Sequence, residues 1–353
     1  MEAYAIPETT FKRLEAMVDR IEADPGRSLS ADEFDVALDT SRVFSTLPPG
    51  LTDDDFVGIL KLAMLTECAT DVYVHEISTR AREYNSPWLE RFNENVWKPD
   101  EYLHAEPFKR ILLALGFSEA ELDHEIEETQ AREFDHVGGD SPVHVTTFGM
   151  VQEYLTDHWH GLISRLLRPT MPAAAAMTAR IKQRETLHML WYRDMTAMQV
   201  EANPEFIHDV ANELNRFRLP GNSLIPDLQS QAERWLPLMG ADYNQIVKDM
   251  VRLLHTCAGS PERLGRLAFD LGSWKDRRVG MLRSRHLGWA LDRFGGFGYG
   301  LVGEAILERV GCSYLFRPQH KEDTREGIAE HSRSLIRTWL SKQLPVSVTA
   351  AAG

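Results

Sequence analysis

Apolar residues recur along most of this chain at steps of three and four, the spacing of helices with one oily face, and the strict alternation of strands is scarce. The stretch ETTFKRLEAMVDRIEAD predicts an amphipathic helix ending near Pro25 and Gly26. SADEFDVALDTSRVF opens with Ser30 and Glu33, a capping box that predicts a second helix. LTDDDFVGILKLAMLTECATDVYVHEISTRAREY reads as one long helix whose acidic first turn suits the helix dipole. Pro99 belongs in a first turn, which predicts a helix from there to about Leu115. SEAELDHEIEETQAREFDHV reads as an acidic helix closed by Gly138 and Gly139. Two long helices follow, SPVHVTTFGMVQEYLTDHWHGLISRLLR and PAAAAMTARIKQRETLHMLWYRDMTAMQ, split by Pro169 and Pro172, and then PEFIHDVANELNRF and DYNQIVKDMVRLLHT. The chain is therefore expected to be all-α, with a four-helix bundle between about residues 51 and 200 and further helices flanking it. From about Gly259 it becomes richer in Gly and Arg, which divides it into residues 1–258 and a mainly helical extension, 259–353.

The apolar stripes of the four bundle helices carry residues that an oily core should exclude. Phe56, Leu60, Ala63, Glu67 and Val74 share a face of the first; Trp97, Glu101, His104, Phe108 and Ile111 of the second. Gly149, Glu153, Thr156, Ile163 and Leu167 share a face of the third; Ala174, Met177, Ile181, Glu185, His188, Tyr192 and Met195 of the fourth. Each stripe holds a Glu, and two add a His three positions on. A buried carboxylate without a counter-charge costs several kcal/mol, so four in one core call for something positive among them. One Glu from each of two helices plus Glu-x-x-His from each of two others is the recipe for a di-iron carboxylate centre. Oxygen and imidazole donors suit iron or manganese, and the set contains no thiolate.

A single Glu-x-x-His carries little information. Glu121/His124 and Glu133/His136 repeat the spacing inside a strongly acidic stretch that reads as a solvated face. His75 and Glu76, and Asp157 and His160, lie close to the first and third candidate positions. His160, seven residues after Glu153 and on its face, reads either as support for the site or as a core histidine with a hydrogen-bond partner.

Composition narrows the class. The 353 residues are 43% hydrophobic, enough for a sizeable core, and the formal net charge of -14 disfavours nucleic acid as a partner. Cys68, Cys257 and Cys312 are widely spaced and form no CxxC, so neither a disulfide framework nor a zinc ribbon is indicated, and a reducing cytoplasm is the default. No run of apolar residues is long enough to span a membrane, and the N-terminus lacks the apolar core of a signal peptide.

TECATDVY, WKPDEYLH, VQEYLT and RETLH, at these intervals, resemble the metal-binding segments of the soluble acyl-carrier-protein desaturases, and the likeness runs over roughly residues 50–255. The resemblance implies a ferritin-like bundle holding two iron ions, Glu67 and His104 serving one, Glu153 and His188 the other, and Glu101 and Glu185 bridging. It implies O2 as co-substrate, a fatty acyl thioester on acyl carrier protein as substrate, a ferredoxin-type electron donor and a homodimer. Thr156 matches a family threonine near the oxygen site, with proton delivery as its implied role. Arg184 departs from the pattern, since an acidic residue is expected there in plant members. The alternative on the same scaffold is a di-iron hydroxylase or N-oxygenase acting on a carrier-bound intermediate.

Lys275, Arg277, Arg278, Arg283 and Arg285 form the densest basic cluster of an acidic chain, a candidate docking site for an acidic carrier protein. Gly298, Gly300 and Gly303 have GxGxxG spacing, but no strand precedes them, and a loop is the better reading. Trp159 and Trp191 read as core or electron-path neighbours of the site.

Overall fold

The computed structural model of the protein describes residues 4–24, 29–132, 141–217, 219 and 221–271. Its helices are α1 (Glu8–Glu22), α2 (Asp53–Glu67), α3 (Thr70–Glu83), α4 (Pro87–Phe92), α5 (Lys98–Glu101), α6 (Glu106–Ala114) and α7 (Glu119–Gln130). They continue with α8 (Pro142–Leu167), α9 (Pro172–Ala202), α10 (Ile207–Arg216), α11 (Gly221–Leu224), α12 (Leu228–Leu238), α13 (Tyr243–Ala258) and α14 (Pro261–Leu271). No strand occurs among the described residues, and none of these helices is long and apolar enough to cross a membrane.

Helices α8 and α9 are the two longest, 26 and 31 residues, and pack against each other more extensively than any other pair. Their contacts run in opposite order along the two chains. Thr196 Oγ1 donates to Thr146 Oγ1 (2.9 Å), Thr156 Oγ1 to Glu185 Oε2 (3.0 Å) and Ser164 Oγ to the Ala175 carbonyl (2.8 Å), so the pair is antiparallel. Gly149 lets them approach, since a Cβ there would sit 2.7 Å from the Tyr192 ring. Helix α2 packs on α6 and α8, and α6 packs on α9. Helix α14 packs on α10 and α13.

Three elements differ from the sequence expectation. The capping box at Ser30 and Glu33 forms, but it starts only a 3₁₀ turn, Ala31–Phe34, followed by a second at Val43–Thr46. Leu29 and Phe34 are buried against Met177 and Ile181 of α9 while Val36 stays exposed, so tertiary packing overrides the local helix signal. The long helix expected over residues 51–84 breaks directly after Glu67. The Thr70 hydroxyl bonds the Glu67 carbonyl (3.2 Å), and Gln130 Nε2 bonds that of Cys68 (2.7 Å), so side chains satisfy the freed acceptors.

Pro99, third, does lie in the first turn of a helix, but that helix, α5, ends at Glu101 instead of running to about Leu115. It lies inside a helical run from Pro87 to Glu101 in which Asn93–Trp97 form a π turn. Proline lacks the N–H that an α-helical bond would need, and a wider turn just before it absorbs the mismatch. The run then tightens: Leu103 N–H bonds the Asp100 carbonyl (3.1 Å) and His104 N–H that of Glu101 (3.0 Å). Helix α6 starts only at Glu106.

Candidate metal centre

That tight turn positions the first pair. In a three-residue turn, side chains at i and i+3 eclipse, so Glu101 and His104 leave the backbone on the same side. Glu67 arrives from the last residue of α2, Glu153 and Thr156 from the middle of α8, and Glu185 and His188 from the middle of α9. All seven side chains are buried.

Their donor atoms form two groups, Glu67, Glu101, His104 and Glu185, and Glu101, Glu153, Glu185 and His188, each with its atoms within 4.8 Å of one another. Glu101 and Glu185 belong to both. The cluster is therefore two adjoining four-donor sites sharing two carboxylates. His104 Nδ1 lies 2.7 Å from Glu185 Oε1 and 3.3 Å from Glu101 Oε2; His188 Nδ1 lies 2.8 Å from Glu101 Oε1 and 3.7 Å from Glu153 Oε2. Both Nδ1 atoms, Glu101 Oε1 and Glu185 Oε1 are nonetheless buried without a hydrogen-bond partner, because these approaches are out of line for a hydrogen bond. Donor atoms that converge this closely without bonding each other suit a cation placed among them. Buried Glu and His groups here can hold a metal ion, and a set of carboxylates and imidazoles without thiolate fits a hard or borderline divalent one.

The surroundings hold the donors in place. His160 Nε2 lies 3.0 Å from Glu67 Oε1 and 3.6 Å from Glu185 Oε1, so it is a core histidine whose hydrogen-bond partner is one of the candidate ligands. Trp97 Nε1 donates to Glu153 Oε1 (2.8 Å). Asp100 Oδ2 faces His188 Nε2 at 2.9 Å and accepts from Arg184 Nε at 2.6 Å. Asp100 was legible only as the acidic neighbour of Glu101, and nothing in the sequence pairs it with the α9 histidine.

Burial drives the protonation of the metal-free cluster. It raises the Glu67 carboxyl, aided by Glu185 and opposed by His160, and raises that of Glu153 well above the usual range, aided by Glu185. For Glu185 burial is outweighed by the His104 charge, which holds it well below the usual range. Burial also opposes charge on the histidines, yet Glu101 and Glu185 raise His104, Asp100 and Glu101 raise His188, and Glu185 and Glu67 lift His160 to about 9. Burial likewise opposes charge on Asp100, but His188, His104 and Arg184 together hold it far below the carboxylate range. Protons on imidazoles thus supply, in part, the positive charge that a metal supplies on binding.

Two cavities meet at the cluster. One, of about 410 Å³ with the space open to solvent included, touches Glu67, Glu101, Glu153 and Glu185. The other is an apolar cleft of about 500 Å³, part of it open to solvent, lined mainly by leucines such as Leu62, Leu155, Leu219 and Leu236 together with Trp159. Thr66 and Thr156 line both.

The remaining candidates separate from this site. Glu121 is exposed and caps Ser118, and His124 and His75 are exposed. Asp157 bonds Lys182 and Thr186 instead of the cluster. Trp191 lies against His188, ring centroids 5.5 Å apart. The docking candidates Lys275, Arg277, Arg278, Arg283 and Arg285, the glycines 298, 300 and 303, Cys312, and the pair Glu133/His136 lie outside the described residues. No protein-family model matches the chain, and no curated protein gives a significant match.

Proposed function

We propose that this protein is an O2-dependent di-iron enzyme on a ferritin-like four-helix bundle, and that it desaturates a fatty acyl chain carried on acyl carrier protein. The observation that carries the reading is the sharing of Glu101 and Glu185 between two four-donor groups, an arrangement a single ion does not need. Glu67 and His104 complete one group, Glu153 and His188 the other. Iron held there would pass electrons from the donor to O2 and so turn the oxidising power of O2 on an unactivated C–H bond. In balance, –CH2–CH2– becomes –CH=CH– while O2, two electrons from a ferredoxin-type donor and two protons become two waters.

The chain's own residues do the rest. The apolar cleft would align an extended hydrocarbon, and its boundary at Thr66 and Thr156 with the cavity that touches the carboxylates would bring the chain beside them. The Thr156 hydroxyl has one proton and three acceptors in reach, Glu185 Oε2 at 3.0 Å and the carbonyls of Glu153 at 3.2 Å and Gln152 at 3.3 Å. It can therefore turn between holding Glu185 and passing a proton into the cavity. His160 and Trp97 hold Glu67 and Glu153 in orientation.

The test is product mass after the iron-loaded protein is supplied with acyl-loaded carrier protein, a ferredoxin with its reductase, and O2. Loss of two hydrogens supports desaturation. Gain of one oxygen moves the assignment to the hydroxylase alternative, and an unchanged acyl chain on a fully loaded protein overturns the enzymatic reading.

A further inference from the structure

Arg184 is a buried cation, 3% exposed, immediately before Glu185 on α9. Its Nε donates to Asp100 Oδ2 at 2.6 Å, and its guanidinium lies 5.8 Å from the Trp191 ring centroid. The other Asp100 oxygen accepts the Leu29 backbone N–H at 3.1 Å. Asp100 Oδ2 is 2.9 Å from His188 Nε2 and 4.0 Å from His104 Nε2, so one carboxylate faces the outer nitrogens of both candidate ligand histidines. Trp191 packs against both His188 and the guanidinium.

Resting on the di-iron reading above, we infer that Arg184 balances the charge of Asp100 and thereby raises the reduction potential of the metal pair. Glu67, Glu101, Glu153 and Glu185 together carry the negative charge that two divalent cations neutralise. Asp100 adds one more negative charge beside the histidines, and Arg184 cancels it. In a low-dielectric core an uncancelled negative charge favours the more highly charged, oxidised ions. The step concerned is the uptake of one electron by each ferric ion from the external donor, giving two ferrous ions. Arg184 touches neither substrate nor metal donor atoms in this scheme; it is a positioning residue that acts through Asp100.

The test is an equilibrium redox titration of the iron-loaded full chain, with iron counted in each sample, for wild type, Arg184→Gln and Arg184→Lys. Arg184→Gln is expected to keep its iron and to shift the midpoint to lower potential. Arg184→Lys keeps the charge while losing the fork geometry of guanidinium, and is expected to stay close to wild type. Asp100→Asn, a second and independent variant, is expected to move the midpoint upward. If Arg184 merely braces Asp100, the Gln and Lys variants lose iron alike and shift alike, which overturns the inference. A wild-type midpoint in Arg184→Gln overturns it too, while leaving the di-iron reading intact. A wild-type protein with no reducible metal overturns both.

Discussion

At the scale of single residues, the proposed function makes Thr156 the position where a loss of turnover and a loss of assembly can be told apart. Its hydroxyl bonds Glu185 Oε2, while Glu185 Oε1, 2.7 Å from His104 and 3.6 Å from His160, has no hydrogen-bond partner, so in the loaded protein the metal itself would hold the carboxylate without Thr156. Thr156→Val should leave metal content unchanged and lower turnover by about 10–100-fold, the range for removing a group that supports a metal ligand. Steady-state kinetics beside metal analysis checks this; loss of metal with the hydroxyl would contradict it. The six residues that the structure brings into one buried cluster could be picked out in the sequence, because each puts a charged or imidazole side chain on an otherwise apolar stripe. The pairing of Asp100 with Arg184 and His188 could not, since it joins residues 84 and 88 positions apart and depends on how α5 meets α9.

At the scale of elements, the site needs two helix faults and one close approach. The break after Glu67 and the π turn before Pro99 both fall beside a candidate ligand, and neither shows in hydrophobic periodicity, which does not register a turn that is wide or tight by one residue. The existence of α8 and α9 was plain from long, unbroken patterns, whereas the Ser30 capping box misled because Leu29 and Phe34 are worth more buried on α9 than in a helix of their own. The close approach is at Gly149. Gly149→Ala places a methyl 2.7 Å from the Tyr192 ring, which is pinned between α8 and Phe92, and should destabilise by about 1–3 kcal/mol. Gly161→Ala on the same helix meets only the flexible end of Lys182 at 3.2 Å and should change stability by less than about 0.5 kcal/mol. Denaturant midpoints of the two variants decide between them; equal losses would contradict the packing described.

At the scale of the whole molecule, the protonation of the cluster makes stability depend on pH and metal together. His160, His104 and His188 are all raised above the ordinary imidazole value in the metal-free protein, so the folded state binds protons more tightly than the unfolded one. Their contribution is complete below the unfolded value of about 6.5 and is lost as pH rises through the folded values, about 9 for His160. Glu153, also raised, acts in the same direction. The metal-free protein should therefore melt at lower temperature at pH 9 than at pH 6.5. A bound metal displaces those protons, so the stabilisation on adding ferrous iron without O2 should be larger at pH 9. Calorimetry with and without metal at both pH values checks this; a metal-free protein that grows more stable toward pH 9 would contradict the arrangement.

If two ions share Glu101 and Glu185 in one buried site, metal counting on the purified full chain will show it. Wild type should hold about two irons per chain, and Glu185→Ala, which removes a donor from both groups at once, should lose both together while remaining helical by circular dichroism. A wild type that binds none, or a Glu185→Ala protein that keeps its full complement, would contradict the account.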